Sequence, residues 1–181
     1  SKLFNSYDII GKSQSIEKVK NLISKLKNTE SRIFISGPAG SGKELVARQI
    51  HKQSSRSSKP FVVVNGALLD PEKYELELFG SENTNETTNY GFFEKAKDGT
   101  LLIDEISEIP LETQAKILRV LIDQKFRRVS GSKEINVNVR IISTSSKNIR
   151  EEVDKGNFRE DLYHRLNVVP IFLPALKDRT E

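Results

Sequence analysis

Gly37-Pro38-Ala39-Gly40-Ser41-Gly42-Lys43, set between an apolar run and an amphipathic run, is the stretch that most constrains the fold of this chain. Ile33-Phe34-Ile35 precedes it, and residues 44–52 follow with helical patterning. The order is strand, glycine-rich turn, helix. Glycines in such a turn let backbone N–H groups face inward around an anion, and the positive end of the helix dipole adds to the attraction. Lys43 is spaced to reach the outer phosphates of a nucleoside triphosphate. The competing reading of the same residues is an ordinary strand-to-helix turn. Glu44 stands where a Ser or Thr hydroxyl ordinarily meets Mg2+, so a metal must lean on another carboxylate or on water.

The rest of the chain alternates in the same way. Residues 1–8 read as a lead-in, and residues 9–181 as one folding unit. Ile16, Val19, Ile23 and Leu26 recur at helical spacing behind a candidate N-cap, Ser15. Strands are expected at residues 32–36, 61–65, 100–105, 139–144 and 168–173. Phe61-Val62-Val63-Val64 is apolar without alternation, as in a strand covered on both faces. Residues 75–79 form a short helix stopping at Gly80, and Phe92, Phe93 and Ala96 pack another. Pro110 opens a helix whose inner face is read as Leu111, Ala115, Leu118, Leu121 and Ile122. Residues 126–129 and 135–139 flank a hairpin turn at Ser130-Gly131-Ser132, and residues 158–166 are helical. Residues 81–89 are polar, lack an apolar anchor, and read as a flexible surface loop. Five strands alternating with helices predict an α/β sandwich around a mostly parallel sheet.

Ligands of such sheets sit beyond the carboxyl ends of the strands. The phosphate loop, Asn65 and the pair Asp104-Glu105 all follow strand ends, so they are expected to converge. Leu101-Leu102-Ile103-Asp104-Glu105 matches a Walker B strand: Asp104 for the metal, Glu105 to orient and deprotonate a water. Taken alone, the pair is equally two solvated acids at a strand end.

Composition excludes several classes. No run approaches a membrane span and no secretory signal is legible. The absence of cysteine rules out disulfides and thiolate metal sites and fits a cytoplasmic chain. His51 and His164 form no metal motif and read as surface or structural. The net charge of +4 is spread among acidic residues, which favours a mixed solvated surface over a nucleic-acid face. The chain contains no methionine, as expected for a piece of a longer protein.

Several motifs together give a resemblance. The phosphate loop with Glu44 after Lys43, Glu77-Leu78-Phe79-Gly80, Gly99 through Ile106, Gln114 through Leu121, and Phe158-Arg159-Glu160-Asp161-Leu162-Tyr163-His164-Arg165-Leu166-Asn167-Val168 occur in family order. The chain resembles the central AAA+ ATPase domain of bacterial enhancer-binding proteins, the σ54-dependent activators of NtrC type, nearest to the NtrX-like response regulators. The resemblance implies a three-layer P-loop NTPase subdomain that binds ATP and Mg2+. It implies that Ile10 and Gly11 pack against adenine, and that Gly37, Pro38, Ala39, Gly40, Ser41, Gly42, Lys43 and Glu44 cradle phosphate. Asp104 holds metal, Glu105 serves the water, and Asn65 hydrogen-bonds Glu105. Arg159 and Arg165 enter the neighbouring subunit's site in a homo-oligomeric ring, a hexamer. Without the family, Asn65 is a strand-terminal turn residue, and the two arginines are solvent-facing partners of Glu160 and Asp161.

The resemblance also implies a receiver domain answering a sensor kinase on one side and a DNA-binding domain on the other. The lid bearing the sensor II arginine is expected past residue 181, so this fragment is expected to bind nucleotide weakly and turn it over poorly. Two departures stand out. Ser145 and Ser146 replace the usual Thr-Asn or Thr-His pair at the sensor I position. Residues 81–89 replace a longer Gly-Ala-Phe-Thr-Gly-Ala loop that touches σ54. A polar loop supplies no buried aromatic contact, which speaks against direct σ54 remodelling. The expectation is an ATPase module of a two-component transcription regulator. The alternative is a nucleotide-binding regulator that does not engage σ54 and acts through DNA binding. A more distant reading is another AAA+ machine, such as a helicase loader or chelatase subunit.

Overall fold

A computed structural model describes residues 15–175, apart from residues 84 and 86. Ile10 and Gly11, assigned above to adenine, lie outside the described residues. The central sheet holds β1 (Ile33–Ser36), β2 (Phe61–Asn65), β5 (Thr100–Asp104), β8 (Arg140–Ser145) and β9 (Val169–Phe172). Their order across the sheet is β2-β5-β8-β1-β9, and every pairing is parallel. Parallel neighbours cannot be joined by tight turns, so helices carry the chain back along both faces. Among the described residues β9 pairs only with β1, and this edge place tolerates Pro170, which has no N–H to give a second neighbour.

Side chains alternate between faces along each strand, and the core divides accordingly. Ile33, Ile35, Leu102, Ile142 and Ile171 pack beneath α1 (Ser15–Leu26) and α2 (Lys43–Lys52). Phe34, Leu101, Ile103 and Ile141 face the other way. That second layer contains α3 (Tyr74–Phe79), α4 (Phe92–Lys95), α5 (Leu111–Asp123), α6 (Ile149–Asp154) and α7 (Glu160–Leu166). The α/β architecture with five parallel strands is thus as the strand and helix order predicts. No helix among the described residues is long and apolar enough to cross a membrane.

Three expectations need correction. The buried face of α5 is Thr113, Gln114, Ile117, Leu118, Val120 and Leu121, whereas Leu111 and Ile122 are each 46% exposed. The helix is rotated because Gln114 can be buried fully satisfied. Its Nε2 donates to Ile109 O at 2.8 Å and Asn157 O at 3.1 Å, and its Oε1 accepts from Arg159 N at 2.9 Å. Second, the two ends of the stretch read as a flexible loop are paired strands. β3 (Ser81–Glu82) pairs antiparallel with β4 (Thr88–Asn89), and Glu82 N donates to Val129 O at 3.0 Å. Arg128 then bonds Glu82 at 2.6 Å and Glu94 at 2.7 Å, contacts made across long sequence separations. Third, α6 was not anticipated, although Asn148 caps it by accepting from Glu151 N at 3.1 Å. Asn followed three residues later by Glu is a helix-start pattern. The expected hairpin is present as β6 (Lys125–Arg127) against β7 (Glu134–Asn136).

Candidate active site at the phosphate loop

Helix α2 begins directly from the loop. Gly42 precedes it at φ 90°, and Gly40 lies at φ 77°, both in the left-handed region that side-chain-bearing residues avoid. The first intrahelical bond is Val46 N to Gly42 O at 3.1 Å. The amides before Val46 therefore have no intrahelical carbonyl and present a donor cluster at the positive end of the dipole. A Cβ on Gly40 would meet nothing within 4 Å, so there is open space beside the loop at this residue. A Cβ on Gly37 would sit 2.5 Å from Leu173 O, which ties the loop's first residue closely to the chain after β9.

The Lys43 side chain is only 6% exposed. Its Nζ donates to Gly37 O at 2.8 Å, Pro38 O at 3.0 Å and Ser146 Oγ at 3.0 Å, and lies 3.8 Å from Glu105 Oε1. Glu105 is held from the far side by Ser146, whose Oγ donates to Oε1 at 2.5 Å and whose N donates to Oε2 at 3.2 Å. Glu105 itself is left-handed, φ 54°, which costs energy in a residue with a Cβ and turns its side chain sharply out of β5.

Asp104 ends β5. Its Oδ1 accepts from Thr144 Oγ1, and its Oδ2 from Asn65 Nδ2 at 3.4 Å. Thr144 Oγ1 also accepts from Glu105 N at 3.0 Å, so one fully buried hydroxyl fixes both members of the acidic pair. The expected contact from Asn65 to Glu105 is not what the geometry gives: Asn65 reaches Asp104 instead. β2 and β5 pair residue for residue, which sets Asn65 beside Asp104, while the left-handed turn at Glu105 carries its carboxylate toward Ser146. Asn65 Oδ1 is engaged locally by Ala67 N at 2.9 Å, the turn contact read from its strand-end place.

Lys43, Asn65, Asp104 and Glu105 are thus gathered at one edge of the sheet, as their strand-end places predicted. Arg159 and Arg165 are not part of this cluster. Both are exposed on or beside α7, and Arg159 forms a two-pronged pair with Asp161 at 3.0 and 2.9 Å. Glu44 is also outside it and pairs with Arg48 at 3.2 Å, one turn along α2. Two residues, Thr144 and Gly66, escaped sequence reasoning, and Ser146, placed above at the sensor I position, makes a contact to Glu105 that the sequence did not show. Thr144 and Ser146 organise the carboxylates, and no local signal in a β-strand reports a contact to the next strand's end. Gly66 lets the chain after β2 pass close to β5: its N donates to Asp104 O at 2.7 Å, and a Cβ there would lie 2.4 Å from Glu105 O. The dipeptide Asn65-Gly66 was a legible turn signal. Of the histidines, His51 is buried between Thr100 Oγ1 at 2.7 Å and Lys59 O at 3.0 Å, a structural role.

A parallel sheet with a glycine-rich loop, a lysine at the helix start and an acidic strand end defines the P-loop NTPase class. The family model described as the Sigma-54 interaction domain matches residues 9–172, and the chain belongs to that family. The nitrogen assimilation regulatory protein NtrX of Azorhizobium caulinodans is 47% identical over 180 residues, covering 99% of this chain and 40% of that protein. The DNA-binding transcriptional regulator NtrC of Escherichia coli is 42% identical over 178 residues, covering 96% and 38%. The crystal structure of NtrX from Brucella abortus in complex with ATP superposes with a TM-score of 0.87 at 50% identity, covering 94% of this chain and 39% of that one. The chain spans about two fifths of the length of these relatives.

Proposed function

We propose that this chain is the ATP-binding and ATP-hydrolysing module of a response-regulator transcription factor of the NtrX/NtrC type. The observation that carries the reading is the convergence of Lys43, Asp104 and Glu105 at the mouth of the phosphate loop. The donor set fits a triphosphate: a glycine-rich turn with open space at Gly40, helix-start amides that have no intrahelical carbonyl, and a nearly buried lysine. Asp104, held from two sides, is the residue that would hold Mg2+, with Glu44 directed away toward Arg48. When bound, the metal supplies charge neutralisation at the outer phosphates.

In this reading Lys43 Nζ exchanges loop carbonyls for phosphate oxygens, a charge-assisted bond in place of neutral ones. Glu105 positions a water and takes its proton at a carboxylate oxygen. Ser146 restrains Glu105 through two bonds, the part the sensor I pair would play. Asn65 acts on the acidic pair through Asp104. Ile10 and Gly11 flank adenine, and Arg159 and Arg165 serve the neighbouring subunit's site in a ring, released there from Asp161. A guanidinium so placed stabilises charge on the γ-phosphate. In the whole cytoplasmic regulator, a receiver would answer a sensor kinase and a further domain would bind DNA.

A second reading concerns the output. The hairpin of β3 and β4 is short and polar, and Arg128 ties its first strand down. That observation favours a regulator whose nucleotide cycle governs assembly without engaging σ54. Turnover and ATP affinity, measured with the intact regulator and with its Glu105→Gln variant, test the primary reading. Turnover should fall by about 10²–10⁴ while ATP affinity is retained. Equal turnover in the two proteins refutes Glu105 as the base. A σ54 pull-down with the intact regulator separates the two outputs.

A further inference from the structure

We propose that the amino-terminal edge of the sheet carries a second anion site, in which Arg32, Arg56 and Arg140 receive a phosphate or phosphomonoester dianion. Arg140 opens β8, and its side chain is only 2% exposed. Its Nε donates to Ser31 O at 3.2 Å, but Nη1 and Nη2 are buried with no hydrogen-bond partner among the described residues. A guanidinium is charged at any physiological pH, and leaving its donors buried and unpaired is costly. Such a group asks for an acceptor.

Its surroundings supply a place for one. Arg140 borders a pocket of about 400 Å³ shared with Glu30, Arg32, Arg56, Gln124 and Asn138. Arg56 is engaged by Glu30 at 2.9 Å and by Asn138 Oδ1 at 2.9 Å. Among the described residues Arg32 makes only long bonds, to Arg165 O at 3.3 Å and Leu121 O at 3.4 Å. Three guanidiniums against the single carboxylate of Glu30 leave two net positive charges around the pocket. Burial pushes the Arg140 guanidinium pKa down; Glu30 draws it back up, and Arg56 presses it down again. The cluster therefore lacks negative charge, and a doubly charged oxyanion matches both the deficit and the forked donor geometry of arginine.

The pocket is distinct from the phosphate loop. Arg140 and Ser145 are the two ends of β8, and six residues at about 3.3 Å each separate the edges by roughly 17 Å. Neither Asp104 nor Lys43 borders it.

Titration calorimetry with inorganic phosphate, on the 181-residue chain carrying Lys43→Ala, isolates this site from the loop. That protein should still bind one phosphate. Adding Arg32→Gln should weaken binding about tenfold, as loss of one charge-assisted bond does, and Arg140→Met should abolish it. Because Arg140→Met can also unfold the chain, crystals of the unmodified chain soaked in selenate give an independent readout. An anomalous peak between Arg32, Arg56 and Arg140 supports the site. Water alone at that position, or no phosphate binding once Lys43 is replaced, overturns it. Acetate binding as tightly as phosphate also overturns it, in favour of a carboxylate site. Failure here leaves Lys43 and Glu105 untouched as nucleotide groups.

Discussion

Two ion-pair clusters in this molecule use the same kinds of groups in opposite ways. Arg128 is bonded at 2.6–2.8 Å to the carboxylates of Glu82 and Glu94, with its guanidinium over the Tyr90 ring at 5.2 Å. Those bonds, Glu94's first, hold its charge well above the ordinary arginine range. Lys43 is more buried, yet its nearest carboxylate is 3.8 Å away and its close partners are two carbonyls and a hydroxyl. Carbonyls and hydroxyls are weaker partners for a cation than carboxylates are. The difference separates a clamp from a grip: Arg128 has its strongest partners inside the chain, whereas Lys43 gains by meeting an incoming anion.

The largest expected effect is on the clamp. Arg128→Met strands two partly buried carboxylates and should lower stability by about 2–3 kcal/mol in denaturant titration. ATP affinity should stay within about threefold. A variant as stable as wild type would break the contrast. The grip comes next. Lys43→Ala should weaken ATP binding by tenfold or more, about 1.5–3 kcal/mol, with little loss of stability. A large loss of stability and no loss of affinity would invert the assignments.

Gly66→Ala sharpens the comparison by moving the acidic pair without touching a charge. Its Cβ would press within 2.4 Å of Glu105 O, so a backbone shift costing about 1–3 kcal/mol is expected, together with slower turnover. Unchanged turnover would show that the Glu105 peptide is not fixed by this contact. The smallest effect is a pH dependence far from both clusters. Burial pushes the His51 pKa below its ordinary value near 6.5, with Arg140 and Arg56 adding to the push and the Lys59 carbonyl opposing it. The unfolded chain therefore takes up the proton first as pH falls. Stability should be full above about pH 6.5 and decline below it, by under about 1 kcal/mol at first. His51→Gln should flatten that slope.

Much of the fold was legible because its signals are local. Ile33-Phe34-Ile35 alternates between the two core faces, Phe61 to Val64 is apolar throughout, and each strand ends at a turn or polar signal. The same local logic fell short on α5, where counting only apolar residues placed Leu118 and Leu121 correctly but set the face off-centre, with Leu111 and Ile122 exposed and Gln114 missed. Gln114 is polar by composition but is completely paired in its pocket. It failed again at Ser81-Glu82 and Thr88-Asn89, whose pairing is anchored by Val129 and Arg128, more than 40 residues from Glu82. Local composition carries no trace of such anchors.

The candidate site divides in the same way. By itself the amino-acid order determined the phosphate loop, the acidic pair and their placement at strand ends, because glycine conformational freedom, helix polarity and strand ends are properties of neighbouring residues. Only the tertiary structure decided that Asn65 meets Asp104, that Thr144 and Ser146 hold the two carboxylates, and that Arg140 lies buried with unpaired nitrogens. Those outcomes depend on register between strands far apart in the chain and on one left-handed residue, Glu105, and a sheet sets both only once it has been assembled.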